Sequence, residues 1–513
     1  MRAGNGTRGG PRPPRTARPR VAAADLGILL AGVVVAVAAI SPIVAHWLTN
    51  PPDQRMVDLE VYRDGGAALL RGAPLYEVLT QPPQFLPFTY PPFAGLLAVP
   101  FTLMPWNAAQ WTWTICMYAA LTITVCYAFR DLIRRAGRWA PVATGALVGA
   151  TAWMWPSYDQ MRFGQVGFFL MALCLADCAA RSARWPRGAL VGLAIAIKLV
   201  PGVFLIYFLI TGRWEALRNA VLTAVVATLA TFALLPSDSV DYWFGALLEG
   251  GERTGAITAT TNQALNGMLA RVIPEGPVRS LVWLIFLLAV AYGGFRLARR
   301  STLAADDLAL HGPGSTPALR ARDLFRVPAA LHRPAGSVRR IAAAGWERLA
   351  ATSRPLERAT AFRPSGPLKG TDLMGPADRA AGPDAYSLLL GGIAITGLLS
   401  VLLSPVGWMH HLVWMIAVLG ALIGDGRDAR RCLVAVAVWI GFLFPLPWYG
   451  AAMSGSDHRP ITRFFGRVVQ DAFGLAAVTM IMVLGIWLVN RLVAAKDRPD
   501  PSRSEPPVGT LAP

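Results

Sequence analysis

The chain has 513 residues, of which 54% are hydrophobic and 15% are charged, and its mean hydropathy is +0.44. Apolar stretches of about 20 residues recur along it, the length at which a helix crosses the hydrocarbon core of a bilayer. This composition argues against a soluble enzyme and predicts an all-α polytopic membrane protein. The net charge of +18 is therefore considered first as a topology signal and only then as a sign of nucleic-acid binding.

The tail that precedes the first apolar stretch sets the orientation. Residues 1–21 contain six arginines, which places them in the cytoplasm by the positive-inside rule. The connector 48–107 is then a large first extracytoplasmic loop. The candidate spans, in chain order, are 22–47, 108–129, 139–155, 164–181, 187–211, 217–235, 278–298, 386–404, 409–424, 430–447 and 467–492.

The stretch 187–211 decides the topology of everything after it. Lys198 and Pro201 interrupt this stretch, and Pro201 removes a backbone donor that hydrocarbon cannot replace. A broken hairpin of two short helices, with its tip outward, keeps the later basic segments in the cytoplasm. One continuous span would place them outside. The hairpin leaves most of the 48 Lys and Arg residues cytoplasmic, so we predict about twelve helical membrane segments with both chain ends inside.

Two segments between these elements do not count as spans. Segment 86–106 could cross the membrane, but it would then push the arginines of 130–138 outside, so we predict a re-entrant or interfacial segment. Segment 299–385 is rich in Arg, Pro, Ala and Gly and predicts a disordered cytoplasmic insertion. The predicted organisation is a basic cytoplasmic tail 1–21, an N-terminal transmembrane part 22–298, the insertion 299–385, C-terminal transmembrane helices 386–493 and a disordered cytoplasmic tail 494–513.

Under this topology the unusual polar residues gather at the outer face. Asp58 opens an ionisable run directly after the first span, where it could act as a base or simply cap the amphipathic segment 59–71. Lys198 lies in an otherwise apolar sequence, where a charge is costly unless it is hydrated or paired. We therefore expect Lys198 to face a cavity and bind an anion; the alternative is a lysine that snorkels to the interface.

Other polar residues at this face are candidates for binding phosphate. Adjacent histidines such as His410 and His411 point in different directions on a helix, so they cannot both ligate one ion in the usual i,i+4 way. One of them could donate a hydrogen bond to phosphate while the other packs, or both could be satisfied by the backbone. Arg162 is a further candidate cation for the phosphate.

The amide and aromatic side chains at this face are candidates for binding sugar. Amides bind sugar hydroxyls because they supply both donors and acceptors, although caps and turns use the same residues. The chain has no Walker loop and no DxD motif, and nucleotide-sugars are absent outside the cytoplasm, so the sugar donor would have to be lipid-linked. The candidate sugar- or acceptor-binding residues are Asn262, Gln263, Asn266, Tyr62, Tyr90, Gln165 and Trp408.

These motifs, in this order, resemble those of glycosyltransferase family 87, the actinobacterial polyprenyl-phosphate-mannose-dependent α-(1→2)-mannosyltransferases with the GT-C fold. The long insertion 299–385 departs from the resemblance. The segments that carry it are Asp58-Leu59-Glu60-Val61-Tyr62, Phe88-Thr89-Tyr90-Pro91-Pro92-Phe93, Gly164-Gln165, Lys198-Leu199-Val200-Pro201, Asn262-Gln263-Ala264-Leu265-Asn266-Gly267 and Ser404-Pro405 through His410-His411.

The resemblance implies a multi-pass plasma-membrane enzyme with an extracytoplasmic active site and no cofactor. Its partners would be a polyprenyl-phosphate-mannose donor, the bilayer, and a mannosylated acceptor such as a phosphatidylinositol mannoside, lipomannan or lipoarabinomannan, with no nucleic acid. Asp58 would be the catalytic base of an inverting displacement. Lys198, Arg162 and one of His410 or His411 would stabilise the leaving phosphate.

Other functions remain open on the sequence. A relative of this fold could transfer arabinofuranose or another sugar from a lipid phosphate. A transporter or lipid flippase is the alternative from a different class, and it predicts polar residues near the bilayer midplane rather than at one face. A scaffold that acts through 299–385 is a third possibility.

Overall fold

The computed structural model describes residues 23–51, 55–180, 182–249, 255–311 and 382–494. These ranges are built from helices, with two isolated β-bridges and no β-strand among the described residues. The α-helices, numbered in chain order, are α1 Ala23–Thr49, α2 Val57–Arg71, α3 Pro92–Thr102, α4 Trp106–Ala128, α5 Arg130–Arg135, α6 Ala140–Ala152, α7 Trp155–Phe163, α8 Gly167–Ala179, α9 Ala189–Ile197, α10 Val203–Ile210, α11 Trp214–Leu234, α12 Pro236–Asp241, α13 Leu247–Glu249, α14 Leu265–Ala270, α15 Pro277–His311, α16 Pro383–Leu402, α17 Met415–Ile423, α18 Ala429–Leu443, α19 Leu446–Met453, α20 Pro460–Gln470, α21 Ala472–Met482 and α22 Val489–Ala494.

Six stretches of helix are long and apolar enough to cross a membrane, and a seventh span results if α18 and α19, which meet at a bend of 56°, are counted together. The six are Asp25–Thr49, Trp106–Ala128, Trp214–Leu234, Pro277–Ala309, Pro383–Leu402 and Ala472–Val493. Four shorter apolar helical stretches accompany them. The predicted all-α polytopic fold is confirmed, whereas the count of about twelve membrane segments stays a prediction.

The predicted break of 187–211 into two short helices is confirmed, whereas the outward orientation of its tip stays a prediction. Helix α9 ends at Ile197, Lys198 adopts an extended backbone (φ −152°, ψ 131°), and a 3-10 turn at Val200–Gly202 leads into α10. Both ends of the hairpin lie at the start of α11: the Asn219 side chain donates to the Arg187 carbonyl at 2.8 Å, and α10 ends at Ile210, four residues before Trp214. The tip that carries Lys198 therefore lies at the opposite end of the hairpin from both connections.

The structure of two other segments can be compared with the predictions made for them from the sequence. Within 86–106 the structure has α3, which has 11 residues, and at about 1.5 Å per residue it is too short to cross a bilayer. Helix α15 continues to His311, so the first residues of the predicted insertion 299–385 are helical. Residues 312–381, the tail 1–21 and residues 495–513 lie outside the described residues.

Helix α16 forms the centre of the helical assembly. In its most apolar window 94% of the residues are buried, compared with 11% for α11. The glycines of α16 allow close packing, since a Cβ on Gly392 would meet Thr302 of α15 and a Cβ on Gly397 would meet the Trp414 ring. Helix α11 is the opposite case, because most of its surface faces outward, as expected for a helix in contact with lipid.

Candidate active site

Helix α2 begins against the end of α7, and this junction positions Asp58. The Met56 amide donates to the Arg162 carbonyl at 2.8 Å. Gly164 ends α7 with a positive φ of 68°, and a Cβ at this position would press on Met56 and Leu59. The Trp113 indole N–H donates to the Gly164 carbonyl at 2.8 Å. The first turn of α2, which carries Asp58, is thereby held beside the loop that follows α7.

Asp58 lies near Gln165 in this junction, and the amide of Gln165 favours the ionised form of its carboxylate. The Tyr62 hydroxyl, one helical turn further along α2, donates to Gln165 Oε1 at 3.4 Å and lies 3.1 Å from the Tyr90 hydroxyl. Because Gln165 Oε1 accepts from Tyr62, its amide nitrogen is free to donate to the Asp58 carboxylate. Burial raises the pKa of Asp58 to about 6, against the opposing effects of the Gln165 bond and the charge of Lys198.

Lys198, at the hairpin tip, lies close enough to Asp58 for its charge to act on this carboxylate. Its ammonium lies 4.9 Å from the centre of the Tyr90 ring and 3.3 Å from His411 Nε2. Its charge favours the ionised form of Asp58, although no carboxylate of the described residues lies within 4.0 Å of its nitrogen. A half-buried ammonium with an aromatic face and an imidazole as neighbours retains donors for an external anion.

His411 contributes a second donor at the same point. The backbone N–H of Trp408 donates to His411 Nδ1 at 3.2 Å, which assigns the proton of the neutral ring to Nε2. Nε2–H and the Lys198 ammonium are then both donors, so they cannot hydrogen-bond to each other across their 3.3 Å separation. An anionic oxygen between them would accept from both.

Asp159 completes this group and was not assigned a role on the sequence. Its carboxylate lies 3.8 Å from Arg162 Nη1 and 4.0 Å from His410 Nδ1. Asp159 Oδ1 and His410 Nε2 are buried without a hydrogen-bond partner. Burial raises the pKa of Asp159 to about 7. The position of Asp159, three residues before Arg162 on the same short helix, was the available signal.

We call Asp58, Asp159, Lys198, His410 and His411 the acid–base cluster. Arg162 touches it through Asp159, and its guanidinium also lies 5.6 Å from the Trp47 ring centre and 5.0 Å from that of Phe163. The guanidinium of Arg162 thus already has a carboxylate and two aromatic rings as neighbours, whereas Lys198 has no carboxylate within 4.0 Å in the part of the chain that the structure describes. Among the described residues, no group of three or more His, Cys, Asp or Glu side chains could hold a metal ion.

An apolar groove lies between the residues next to Lys198 in the hairpin and the surface of α11. Its cavity volume is about 300 Å³. Ile195, Ala196 and Leu199 flank Lys198 along one wall, and Val225 and Leu229 of α11 line the other. Both α11 residues are exposed on the outside of the protein, so the groove is open to the surroundings of a lipid-facing helix.

The side chains of the amide-rich turn form hydrogen bonds within the protein. The Asn262 side chain donates to the Ile257 carbonyl at 3.0 Å and accepts from the amides of Ala264 and Gly407 at 3.2 and 3.0 Å. Gln263 donates to the Thr260 and Gln470 carbonyls and accepts from the Gly474 amide. Both side chains are fully buried. The geometry therefore favours the structural alternative, and neither is part of the site proposed below.

A buried ion pair lies beside these amides. Arg271 Nε donates to Asp471 Oδ1 at 2.8 Å, and the same guanidinium donates to the carbonyls of Ala259 and Asn262 at 2.7 and 2.8 Å. We call Asn262, Gln263, Arg271 and Asp471 the amide junction. It joins the loop before α14 to the start of α21.

The two remaining candidates for sugar binding lie next to this junction. Asn266 is half-buried and donates to the Pro405 carbonyl at 3.3 Å. Trp408 is half-buried, forms a β-bridge with Asn262, and has its ring beside Gly255. Trp408 is also tied to the acid–base cluster, because its backbone amide binds His411.

Residues 88–312 match the family model for glycosyltransferase family 87. The match covers less than half of the chain and shows a similarity to glycosyltransferase family 87 through this region. The region includes Tyr90, Asp159, Gln165 and Lys198, whereas Asp58 precedes it and His411 follows it. No solved structure matches the chain.

The curated relatives carry closely related descriptions. A polyprenol-phosphate-mannose-dependent alpha-(1-2)-phosphatidylinositol mannoside mannosyltransferase of Mycolicibacterium smegmatis is 38% identical over 260 residues, which cover 48% of this chain and 59% of the relative. The protein of the same description from Mycobacterium tuberculosis is 35% identical over 278 residues, or 50% of this chain and 64% of the relative. A phosphatidylinositol pentamannoside mannosyltransferase of M. smegmatis is 28% identical over 404 residues, covering 78% and 77%. The chain thus spans less than two thirds of the length of the first two relatives.

Proposed function

We propose that the chain is an inverting mannosyltransferase. It transfers mannose from polyprenyl-phosphate-mannose to a mannosyl residue of a phosphatidylinositol mannoside, forming an α-(1→2) linkage. The observation that carries the proposal is the placement of a carboxylate, Asp58, near a cation, Lys198, whose neighbours along the chain line an apolar groove. The descriptions of the mycobacterial relatives support the choice of sugar, donor and acceptor.

Asp58 is the proposed base. Gln165 orients its carboxylate, and Tyr62 in turn fixes the amide of Gln165. With a pKa of about 6, Asp58 is ionised at neutral pH yet basic enough to take the proton of the acceptor 2-hydroxyl as that oxygen attacks the anomeric carbon. The displacement converts a β-linked mannosyl phosphate into an α-linked mannoside in one step.

Lys198 and His411 are the proposed phosphate-binding pair. As the sugar–phosphate bond breaks, the phosphate gains about one negative charge, and donors that converge on it stabilise the transition state more than the ground state. The ammonium and Nε2–H, 3.3 Å apart and both donors, suit two oxygens or one shared oxygen of this group. The polyprenyl phosphate is a good leaving group, so the mechanism needs no general acid.

The apolar groove is the proposed path of the polyprenyl chain. It passes Ile195, Ala196 and Leu199, which precede and follow Lys198, so a phosphate bound by this lysine would have its lipid tail directed along α11. Tyr62, Tyr90, Asn266 and Trp408 remain proposed sugar contacts around the cluster.

The decisive experiment uses the purified full-length chain in liposomes with radiolabelled polyprenyl-phosphate-mannose. Phosphatidylinositol mannosides of increasing mannose number serve as acceptors, and the product linkage is determined by permethylation analysis. We expect a new α-(1→2)-linked mannose in the product. An Asp58→Asn protein of equal folded content is the negative control. A parallel arm with polyprenyl-phosphate-arabinofuranose tests the alternative donor sugar, and transfer only in that arm would overturn the choice of mannose.

We further propose that the site faces the extracytoplasmic side of the plasma membrane. Under the predicted orientation, the hairpin tip and the loop at Ser456 lie outside and the start of α11 lies inside. In a variant without the five native cysteines, Ser456→Cys should react with an impermeant thiol reagent in intact cells, whereas Glu215→Cys should react only after lysis. Both positions are exposed, so the reverse pattern would invert the topology.

A further inference from the structure

Helix α20 is the most amphipathic helix in the described part of the chain, and the catalytic proposal does not use it. One face packs on α19 through two glycines: a Cβ on Gly466 would meet Met453, and a Cβ on Gly450 would meet the Gln470 backbone. Ile461, Phe464, Phe465 and Val468 follow the i, i+3, i+4, i+7 spacing of a single helical face, and all four are exposed.

A row of arginines marks a different side of the same helix. Arg459, Arg463 and Arg467 recur every four residues and are exposed. Arg467 donates to Gln470 Oε1 at 3.0 Å, so it is tied to the helix itself. Neither Arg459 nor Arg463 forms an ion pair with a carboxylate of the residues that the structure describes, which leaves both guanidinium groups available to an external anion.

The position of α20 indicates what covers its apolar face. Asp471 alone separates it from Ala472, where a helical stretch long enough to span a membrane begins. Helix α19, against which α20 packs, belongs to the bent pair that forms the possible seventh span, and it exposes Trp448 and Tyr449. Tryptophan and tyrosine are enriched where spans meet the headgroups. Helix α20 therefore lies at the end of two spans, at the level of the membrane–water interface.

We propose that α20 is an interfacial helix that binds anionic phospholipid. Phe464, Phe465 and their neighbours enter the boundary between headgroups and acyl chains, while Arg459 and Arg463 bind the phosphate groups of anionic lipids in the same leaflet. The opposed placement of the two rows fits a helix parallel to the membrane surface, with apolar residues below it and cations at headgroup height. A protein partner could bind exposed arginines elsewhere on the surface and would not require Arg459 and Arg463 to lie beside a membrane span.

The first arm of the test measures where α20 lies. A fluorescent thiol label is attached at Phe464→Cys, and separately at Val468→Cys, in the otherwise cysteine-free full-length chain in liposomes; Ser456→Cys in the preceding loop is the matched control. We expect nitroxide lipids to quench the first two labels and aqueous iodide to quench the third. Iodide quenching of all three labels, without lipid quenching, would overturn the interfacial placement.

The second arm measures the choice of lipid. The Phe464→Cys label is quenched by nitroxide-labelled phosphatidylglycerol or nitroxide-labelled phosphatidylcholine at equal mole fraction. An attraction of the usual size for one arginine near a membrane corresponds to about fivefold enrichment of the anionic lipid. The double variant Arg459→Gln, Arg463→Gln should abolish the difference, whereas the distant pair Arg218→Gln, Arg427→Gln should preserve it. Equal quenching by both lipids in the unmodified sequence would refute the binding of anionic lipid.

Discussion

The acid–base cluster and the amide junction both place polar side chains in a largely apolar protein, yet they satisfy them in different ways. In the amide junction every polar group of Asn262 and Gln263 described above is paired with a backbone group, and Arg271 is held by a carboxylate and two carbonyls. In the acid–base cluster Asp159 Oδ1 and His410 Nε2 have no hydrogen-bond partner, and Lys198 faces another donor.

This difference separates the roles of the two regions. Buried polar groups that bind the backbone fix loops in place, and their cost of desolvation is offset within the protein. Groups left without partners destabilise the folded state unless a ligand completes them, which is the usual property of a binding or catalytic site. Substitutions in the acid–base cluster should therefore change turnover, and substitutions in the amide junction should change stability.

Asp58→Asn should have the largest effect on turnover. The amide keeps the size of the carboxylate and can still bind Gln165, but it cannot accept the acceptor proton, so transfer should fall by about 10²-fold or more. Initial rates with lipid-linked mannose measure the effect. Glu60→Gln and Asp64→Asn are matched controls, because both carboxylates lie on α2 but point away from Asp58. Near-normal transfer by Asp58→Asn would show that Asp58 is not the base and has a structural role.

Lys198→Ala should follow, with a loss of about ten- to a hundredfold in kcat/KM for the donor. The loss comes from one charge-assisted contact to the phosphate. Lys198→Arg should also be poor, because a planar guanidinium does not replace a compact ammonium beside Tyr90 and His411. Arg427→Ala, on an exposed loop, controls for loss of charge. Unchanged donor kinetics in Lys198→Ala would remove the lysine from the phosphate site.

The pH dependence of activity distinguishes Asp58 from Asp159 within the cluster. Asp58 acts as a base only when ionised, and its pKa is raised to about 6, so activity should be lost as the pH falls through this value. At pH 5 about one tenth of the carboxylate is ionised, and kcat/KM for the acceptor should drop about tenfold from its plateau. The Asp159→Asn variant should retain this acidic limb. Its disappearance in that variant would assign the titration to Asp159, whose pKa is raised to about 7.

Gln263→Ala should have the smallest effect on turnover and a clear effect on stability. It leaves the Gly474 amide and two carbonyls unpaired, which should lower the free energy of unfolding by about 1–3 kcal/mol. Thermal unfolding in detergent should show the loss, while transfer per folded molecule stays near that of the unchanged chain. Gln81→Ala, an exposed glutamine, is the control. A large loss of turnover at normal stability would return Gln263 to the sugar site.

A feature can be predicted from the sequence when its energetic cost depends only on residues that are neighbours along the chain. A lysine followed by a proline in an apolar stretch is expensive in hydrocarbon whatever surrounds it, so the break at Lys198 could be predicted, and so could its position near Asp58. Apolar stretches of membrane-spanning length likewise predict the long helices, although the last predicted span, 467–492, overlaps the end of α20.

The roles of the amides depend on contacts that are distant in sequence. Asn262 is satisfied by Gly407, and Gln263 by Gln470 and Gly474. From the sequence alone, an Asn-Gln turn indicates these distant backbone partners no more strongly than it indicates sugar hydroxyls as hydrogen-bond partners. Asp159 shows the same limit, since its closeness to His410 joins residues that lie far apart along the chain.

The opening of the groove beside α11 affects how the reaction would be measured. If the proposed donor's tail enters between Ile195 and Val225, the donor would approach Lys198 by lateral diffusion within the leaflet without passing through water. The quantity that sets its occupancy is then its mole fraction in the bilayer. Adding neutral lipid or detergent at a fixed total amount of donor would slow the reaction by surface dilution, and a Michaelis constant expressed in molar units would change with the amount of lipid in the assay.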